Sequence, residues 1–322
     1  MEKQRRSVKS TLTRIIDIRE MGVMIPMIIF FIYFASKNPA FLSQVNIINI
    51  LRTASFTLIA GVGMTLLLIT GSFDLSAGTQ VALAGVSTGI ALQAGVSVPL
   101  AILIGLAFTT LAGALLGFCT LKLKIPVFIG GIGVQYVIKG CILVVREGAP
   151  VFPLPAEFNA LADVEIFGLP LVVIVAVIVA LIGGFILKFT VYGRKLYAVG
   201  GNAETARLSG IRCELISFSA FLICGLLNGV SGVLTAARLN SGQPNAGADF
   251  QTTVIASCVI GGVSLFGGAG SILATVLGSL FMTMLTNGMT ITGISPYYQQ
   301  LVLGIILIFS VGFDRFRNTR KA

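Results

Sequence analysis

The sequence predicts an all-α integral membrane protein with about ten transmembrane helices. Its 322 residues are 56% apolar and only 11% charged, and the mean hydropathy is +0.98. Soluble globular domains usually have about 25% charged residues, so this composition indicates a chain that crosses a membrane many times. The 38 glycines agree with this, because small residues let transmembrane helices approach one another closely.

Ten apolar segments follow one another between residues 21 and 313. Most of them approach the roughly 20 residues that a spanning helix needs. Two are short and rich in Gly, Ser and Thr, namely 76–94 and 252–267. In chain order the segments are 21–35, 47–70, 76–94, 97–121, 126–146, 168–190, 215–237, 252–267, 270–289 and 297–313.

Residues 1–20 are polar and basic, a pattern typical of an amphipathic helix on a membrane surface. The apolar run after them is interpreted as a retained span and not as a signal peptide, since no A-x-A cleavage site follows it. The chain is therefore expected to consist of a basic cytoplasmic segment (1–20), a transmembrane domain (21–313) and a basic cytoplasmic tail (314–322).

Most of the 22 Lys and Arg residues fall on one side of the predicted membrane. They lie in the two terminal segments, in the loop after 97–121 and in a polar stretch at 192–214, whereas the loop 147–167 has acids and no cation. Cytoplasmic loops are enriched in Lys and Arg, so both termini and residues 192–214 are predicted to be cytoplasmic. This placement explains the formal charge of +10 by contact with membrane lipid, without nucleic acid.

The residue types that are missing exclude several function classes. The chain has no histidine, which excludes His-based catalytic triads and HExxH zinc sites. Its five cysteines are scattered without a CxxC pair, so no metal site, cofactor or disulfide framework is expected. It also lacks the P-loop pattern GxxxxGK[ST], and it is therefore not expected to hydrolyse ATP or to be an enzyme.

The stretch Tyr192–Glu214 is the most polar part of an otherwise apolar chain, and we call it the polar insertion. After a break at Gly200 and Gly201, Asn202 is placed to cap a short helix that Gly210 would close. Two interpretations are open: an ordinary solvated loop, or a capped surface helix that another protein binds. Its candidate contact residues are Arg194, Gly200, Gly201, Asn202, Glu204, Arg207 and Gly210.

A second candidate region is the turn Gly71–Gln80, which interrupts the apolar pattern. Asp74 is placed to cap the following helix, and ionisable groups inside a membrane are costly and often functional. The region is either a plain turn with an Asp cap or a broken helix that lines a pathway, with Gln80 exposed to a polar solute.

Gln135 and Lys139 are four residues apart and so share one helix face. Lys139 either extends its side chain towards the outer membrane surface or faces a wet central cavity near the outer mouth. Asn287, a polar residue late in an apolar segment, is a further pathway candidate, although an interfacial position would also explain it.

The stretch Arg238–Gln251 is predicted to be an outer loop, because it contains the turn formers Gly242, Pro244 and Gly247. It is either a simple connector or an outer gate and docking site for an external protein, with Gln243, Pro244 and Asn245 as candidates. A faint echo between Ala77-Gly78-Thr79 and Ala269-Gly270-Ser271 would be explained by two related five-helix halves.

Five segments, in the same order along the chain, resemble the membrane permease subunits of bacterial ribose-type ABC importers. This group includes permeases for xylose, arabinose, galactose and autoinducer-2. The resemblance covers about residues 40 to 312, and GGNAETARLSGI is its most specific part. The segments are GMTLLLITGSFDLSAGT, GRKLYAVGGNAETARLSGI, ARLNSGQPNAG, IGGVSLFGGAGS and NGMTITGISPYYQQLVLG.

The resemblance implies a permease in the bacterial inner membrane that dimerises with itself or with a sister permease. It also implies two further partners, a cytoplasmic ABC ATPase subunit and a periplasmic sugar-binding protein. The region Gly200 to Gly210 would then be the coupling helix that docks on the ATPase.

The sequence departs from the ribose permeases that it resembles. Those usually carry acids where this chain has Gln251 and Thr253, and often a cation where it has Ala269. Ribose, a related sugar and autoinducer-2 therefore stay open as solutes. Two further alternatives are an ABC permease for branched-chain amino acids and an ion-coupled secondary transporter, for which the chain offers few intramembrane acids.

Overall fold

The computed structural model describes residues 21–319, which form thirteen α-helices and one two-stranded hairpin. The helices are α1 (Met21–Lys37), α2 (Gln44–Ile69), α3 (Ala77–Gln93), α4 (Val98–Leu121), α5 (Val127–Arg146), α6 (Ala156–Asp163), α7 (Leu171–Phe189), α8 (Val191–Gly201), α9 (Ala203–Leu208), α10 (Cys213–Leu239), α11 (Phe250–Gly261), α12 (Ile272–Ile291) and α13 (Pro296–Thr319). A 3₁₀ turn occupies Pro39–Leu42, and the antiparallel strands are β1 (Glu165–Ile166) and β2 (Leu169–Pro170).

Each of the ten predicted apolar segments contains one helix, and six helices in the described part are long and apolar enough to cross a membrane. These six are α2, α4, α5, α7, α10 and α12. The prediction for 1–20 lies outside the described residues. At the other end, α13 continues six residues past the predicted boundary at 313, as far as Thr319.

The segment 252–267 is not a complete span, contrary to expectation. Its helix, α11, has 12 residues and ends at Gly261, so it extends only about 18 Å. A bilayer core is about 30 Å thick. The helix stops because the next residue, Gly262, has a φ of +116°, which reverses the chain direction.

Helix α10 lies at the centre of the structure and packs against α2, α3 and α4. The side chains of α2 are buried from residue 54 to 69, whereas α7 leaves Leu181, Phe185 and Phe189 more than half exposed. Exposed apolar residues on long apolar helices match a protein whose outer surface lies in lipid.

The order of helix contacts is similar in the two parts of the chain. α3 packs against its successor α4 and against α10, and α11 packs against its successor α12 and against α2. The echo between Ala77 and Ala269 does not follow this order, because it relates the start of α3 to the start of α12. These are the third and ninth apolar helices, and a repeat of five would relate the third to the eighth. The echo is therefore not the sequence trace of such a repeat.

Candidate functional site

The polar insertion folds as two helices, α8 and α9, with Asn202 between them. The Asn202 side chain accepts a hydrogen bond from Thr205 N at 2.9 Å, so the predicted cap is confirmed. Gly210 follows α9 with a φ of +81°, in agreement with its predicted closing role. The polar side chains predicted for contact are all exposed: Arg194, Asn202, Glu204 and Arg207.

A small apolar cluster holds α8 and α9 against the start of α10. Val199, Ala206 and Cys213 are buried together, and the Cys213 thiol lies 3.4 Å from the Ala203 carbonyl oxygen. Leu208, the last residue of α9, is 85% exposed. Sequence reasoning did not select it, because the pattern of a six-residue helix does not determine which of its faces is exposed.

The expected break is confirmed, since α8 ends at Gly201 and Asn202 follows, while Gly200 still lies inside the helix. Gly200 lies against the end of α2. A Cβ atom added to it would overlap the carbonyl oxygen of Ile69 and lie 2.7 Å from Gly268 N. The glycine is required here for close packing of three backbone segments.

The turn between α2 and α3 forms a buried polar cluster, which we call the Asp74 cluster. Asp74 Oδ1 accepts hydrogen bonds from the backbone and side chain of Ser76, at 2.7 and 2.6 Å. Its Oδ2 accepts one from Gln80 Nε2 at 2.7 Å. All three side chains are fully buried, so the expectation that Gln80 is exposed to solute is wrong. The predicted Asp74 cap is wrong, because Ser76 is the N-cap residue of α3 and Asp74 accepts no hydrogen bond from a backbone N–H of that helix.

Asn228 of α10 completes the Asp74 cluster. Its amide nitrogen donates to Gln80 Oε1 at 3.0 Å and lies 3.5 Å from Asp74 Oδ2. Sequence reasoning did not select Asn228, because its partners are about 150 positions away along the chain. These hydrogen bonds connect the turn before α3 to the central helix, α10.

A polar cavity of about 210 Å³ lies beside α3 and α5, and we call it the central cavity. It includes Gln135 and Lys139 from α5, so the structure places these two predicted residues at one polar space. It also contains Asp249 and Gln251, which sequence reasoning had not selected as pathway residues. The lining residues are Gly78, Thr79, Ala82, Gln135, Lys139, Pro244, Asn245, Gly247, Ala248, Asp249 and Gln251.

The chain between α10 and α11 packs along α3 with Gln243 and Asn245 exposed, and its Gly242 pairs with Val151 of the loop 147–167. Gly242 lies against Gly85, and Gly247 lies against Gly78, seven residues earlier on α3. Between these two contacts the loop follows α3 for about 10 Å. It brings Pro244 and Asn245 to the central cavity, whereas Gln243 is exposed and is not among the lining residues.

Asn287 lies elsewhere and does not line the central cavity. It forms a reciprocal amide pair with Asn46, with nitrogen to oxygen distances of 2.9 and 3.1 Å. Asn46 also donates to the carbonyl oxygen of Phe41. These contacts join α2 to α12 and give no support to a pathway role for Asn287.

Comparison with known proteins now decides the family. A family model described as "Branched-chain amino acid transport system / permease component" matches residues 46–311. The chain belongs to this permease family. As a permease component it is not itself an enzyme, and the multi-pass membrane character predicted from composition agrees with that. No solved structure matches the chain.

The permease has relatives over nearly its whole length. It is 33% identical to the ribose import permease protein RbsC of Haemophilus influenzae, over 94% of this chain and 95% of the relative. It is also 33% identical to RbsC of Bacillus subtilis, over 93% and 94%. A shorter match, 36% identical, covers 64% of the chain and 62% of the L-arabinose transport system permease protein AraH of Escherichia coli.

Proposed function

We propose that the permease is the transmembrane subunit of an ATP-binding-cassette importer for a monosaccharide, a ribose-like sugar, in the bacterial cytoplasmic membrane. The full-length similarity to permeases named for ribose import carries this proposal. The central cavity agrees with it, because Thr79, Gln135, Asn245 and Gln251 offer neutral donors and acceptors. A neutral sugar with several hydroxyl groups is recognised by such groups.

The polar insertion is proposed to dock on a separate ATPase subunit. Exposed Glu204, Arg207 and Leu208 lie together on α9 and give it a surface with two charged side chains and one apolar side chain. Arginine is among the residues that are enriched at the energetic centre of protein interfaces. ATP-driven motion of the ATPase would then change which side of the membrane the central cavity opens to.

The proposed orientation places both termini and the polar insertion in the cytoplasm, with ten apolar helices related as two halves. The similar contact order of α3 and α11 supports the two halves. On the opposite side, the segment from α6 to β2 and the chain near Pro244 would receive a periplasmic sugar-binding protein. A second permease copy or a sister permease would complete the complex.

A second candidate solute is a small amino acid, because Lys139 and Asp249 line the same cavity. An ammonium and a carboxylate on one solute would pair with such residues. The description of the family model agrees with this candidate, whereas the names of the full-length relatives favour a sugar.

One experiment separates the two candidates. The permease is reconstituted in liposomes with its ATPase and binding protein, and ATP-dependent uptake of labelled ribose, arabinose and leucine is measured. We expect uptake of one or both pentoses and no uptake of leucine. Uptake of leucine alone would replace the sugar proposal with the second candidate, and uptake without ATP would contradict the ABC mechanism.

A further inference from the structure

Three separate segments of backbone meet at Gly200. It is the penultimate residue of α8, and its missing side chain leaves room for the last residue of α2, Ile69, and for Gly268. Gly268 N donates a hydrogen bond to the Ile69 carbonyl oxygen at 2.9 Å. The polar insertion therefore lies directly on a hydrogen bond that joins the other two segments.

A second contact, one turn earlier on α8, joins the insertion to the same loop. Tyr197 Oη donates to the carbonyl oxygen of Gly270 at 2.7 Å. Gly267, Gly268 and Gly270 have φ values of +85°, +69° and +153°, which residues with a side chain rarely adopt. The path of this loop is therefore specified by its glycines, and α8 contacts it at two points.

The two segments that meet α8 lead to residues of α3 and α11 that line the central cavity. Ile69 is followed by the turn of the Asp74 cluster and then by Gly78 and Thr79, which line the cavity. Gly268 belongs to the loop after α11, and Gln251 at the start of α11 lines the cavity next to Gly78. A displacement of α8 thus acts on both sets of lining residues through packed connections.

We propose that Gly200 and Tyr197 are positioning residues that transmit movement of the polar insertion to the residues of α3 and α11 that line the central cavity. The inference rests on the proposed docking of the insertion on an ATPase. Gly200 permits direct backbone contact, so α8 and the end of α2 move together. Tyr197 holds the loop between α11 and α12 at Gly270. Neither residue touches the ATPase or the solute.

The test compares Gly200→Ala with Gly184→Ala in the reconstituted complex. A methyl group at Gly184, on α7, comes no closer than 4.0 Å to any neighbour, so this variant is the steric control. ATP hydrolysis and solute uptake are measured in the same liposomes. For Gly200→Ala we expect about tenfold more ATP hydrolysed per solute, with hydrolysis itself within about twofold of the parent. Gly184→Ala is expected to keep the parent ratio.

If Gly200→Ala prevents assembly of the complex, Tyr197→Phe still tests the inference. It removes one hydroxyl group, and we expect uptake to fall roughly three- to tenfold while hydrolysis is retained. If the assembled Gly200→Ala and Tyr197→Phe variants hydrolyse the same amount of ATP per solute as the parent, the inference is overturned. A parent complex that takes up solute without ATP would instead overturn the proposed function.

Discussion

The buried carboxylate of Asp74 accepts a hydrogen bond from the buried amide of Gln80, 2.7 Å away and six residues later. The contact closes the turn between α2 and α3 inside the bundle. One of the two interpretations of the sequence places both residues at a solute pathway, and the other is a plain turn. Their burial makes them a structural support for the cavity wall, since Gly78 and Thr79 lie between them in the chain and line the cavity.

Asp74→Ala is expected to destabilise the protein strongly. It leaves Ser76 N and the Gln80 amide without their acceptor, which costs about 2–5 kcal/mol. The measurement is the apparent melting temperature in detergent. Glu165→Ala, which removes an exposed acid, is the control and is expected to melt like the parent. Equal melting of Asp74→Ala and the parent would show that the Asp74 cluster does not support the fold.

Gly247→Ala is expected to disturb the cavity by steric overlap. A Cβ atom at Gly247 would overlap the Gly78 carbonyl oxygen, and inserting a methyl group into packed backbone costs about 1–3 kcal/mol. The apparent melting temperature should fall, and solute uptake should fall with it. Gly133→Ala is the matched control, because nothing lies within 4 Å of the added methyl group. A parent-like Gly247→Ala would contradict the close approach of this loop to α3.

Gln135→Leu and Lys139→Met are expected to weaken solute uptake. Each removes a polar group from the central cavity, and one lost hydrogen bond reduces affinity roughly three- to tenfold. The initial rate of uptake is measured against solute concentration. Val137→Leu is the control on the same helix, since Val137 is exposed and does not line the cavity. If all three variants take up solute with the same kinetics, the central cavity is not part of the solute pathway.

Replacing Glu204 and Arg207 together with alanine is expected to abolish uptake while membrane insertion stays intact. The pair is exposed on α9, and its loss removes both charges from the proposed ATPase contact. Co-purification of the ATPase subunit measures docking, and the amount of permease in washed membranes measures insertion. Normal uptake by this double variant would refute the docking role of the polar insertion.

Thiol labelling tests the proposed orientation. Native Cys213 is a poor reporter because it is buried, so Ser209→Cys on the insertion and Phe167→Cys on the hairpin are better sites. Phe167 is 98% exposed. With Cys119 and Cys141 replaced by serine, an impermeant reagent should label Phe167→Cys in intact cells and Ser209→Cys only after permeabilisation. The reverse pattern would invert the topology.

Sequence patterns predicted the helices of this protein well, since each apolar segment contains one. Local signals also placed the Asn202 cap and the end of α9 at Gly210, because capping depends on residues three or four positions apart. Patterns failed at α11, and they did not show that the chain from Gly242 to Gly247 packs against α3. Hydropathy averages over a window, and it does not distinguish a short helix with a buried loop from one continuous span.

The sequence by itself determined that this chain is a multi-span permease with one polar insertion, because composition, charge placement and short motifs are local properties. Only the tertiary structure decided that Gln80 is buried with Asp74 and Asn228, that Gln135 and Lys139 share a cavity with Gln251, and that Gly200 lies against Ile69. Inside a membrane, polar groups must find partners in the protein. Those partners are brought together by helix packing between residues far apart in the chain, which no local pattern records.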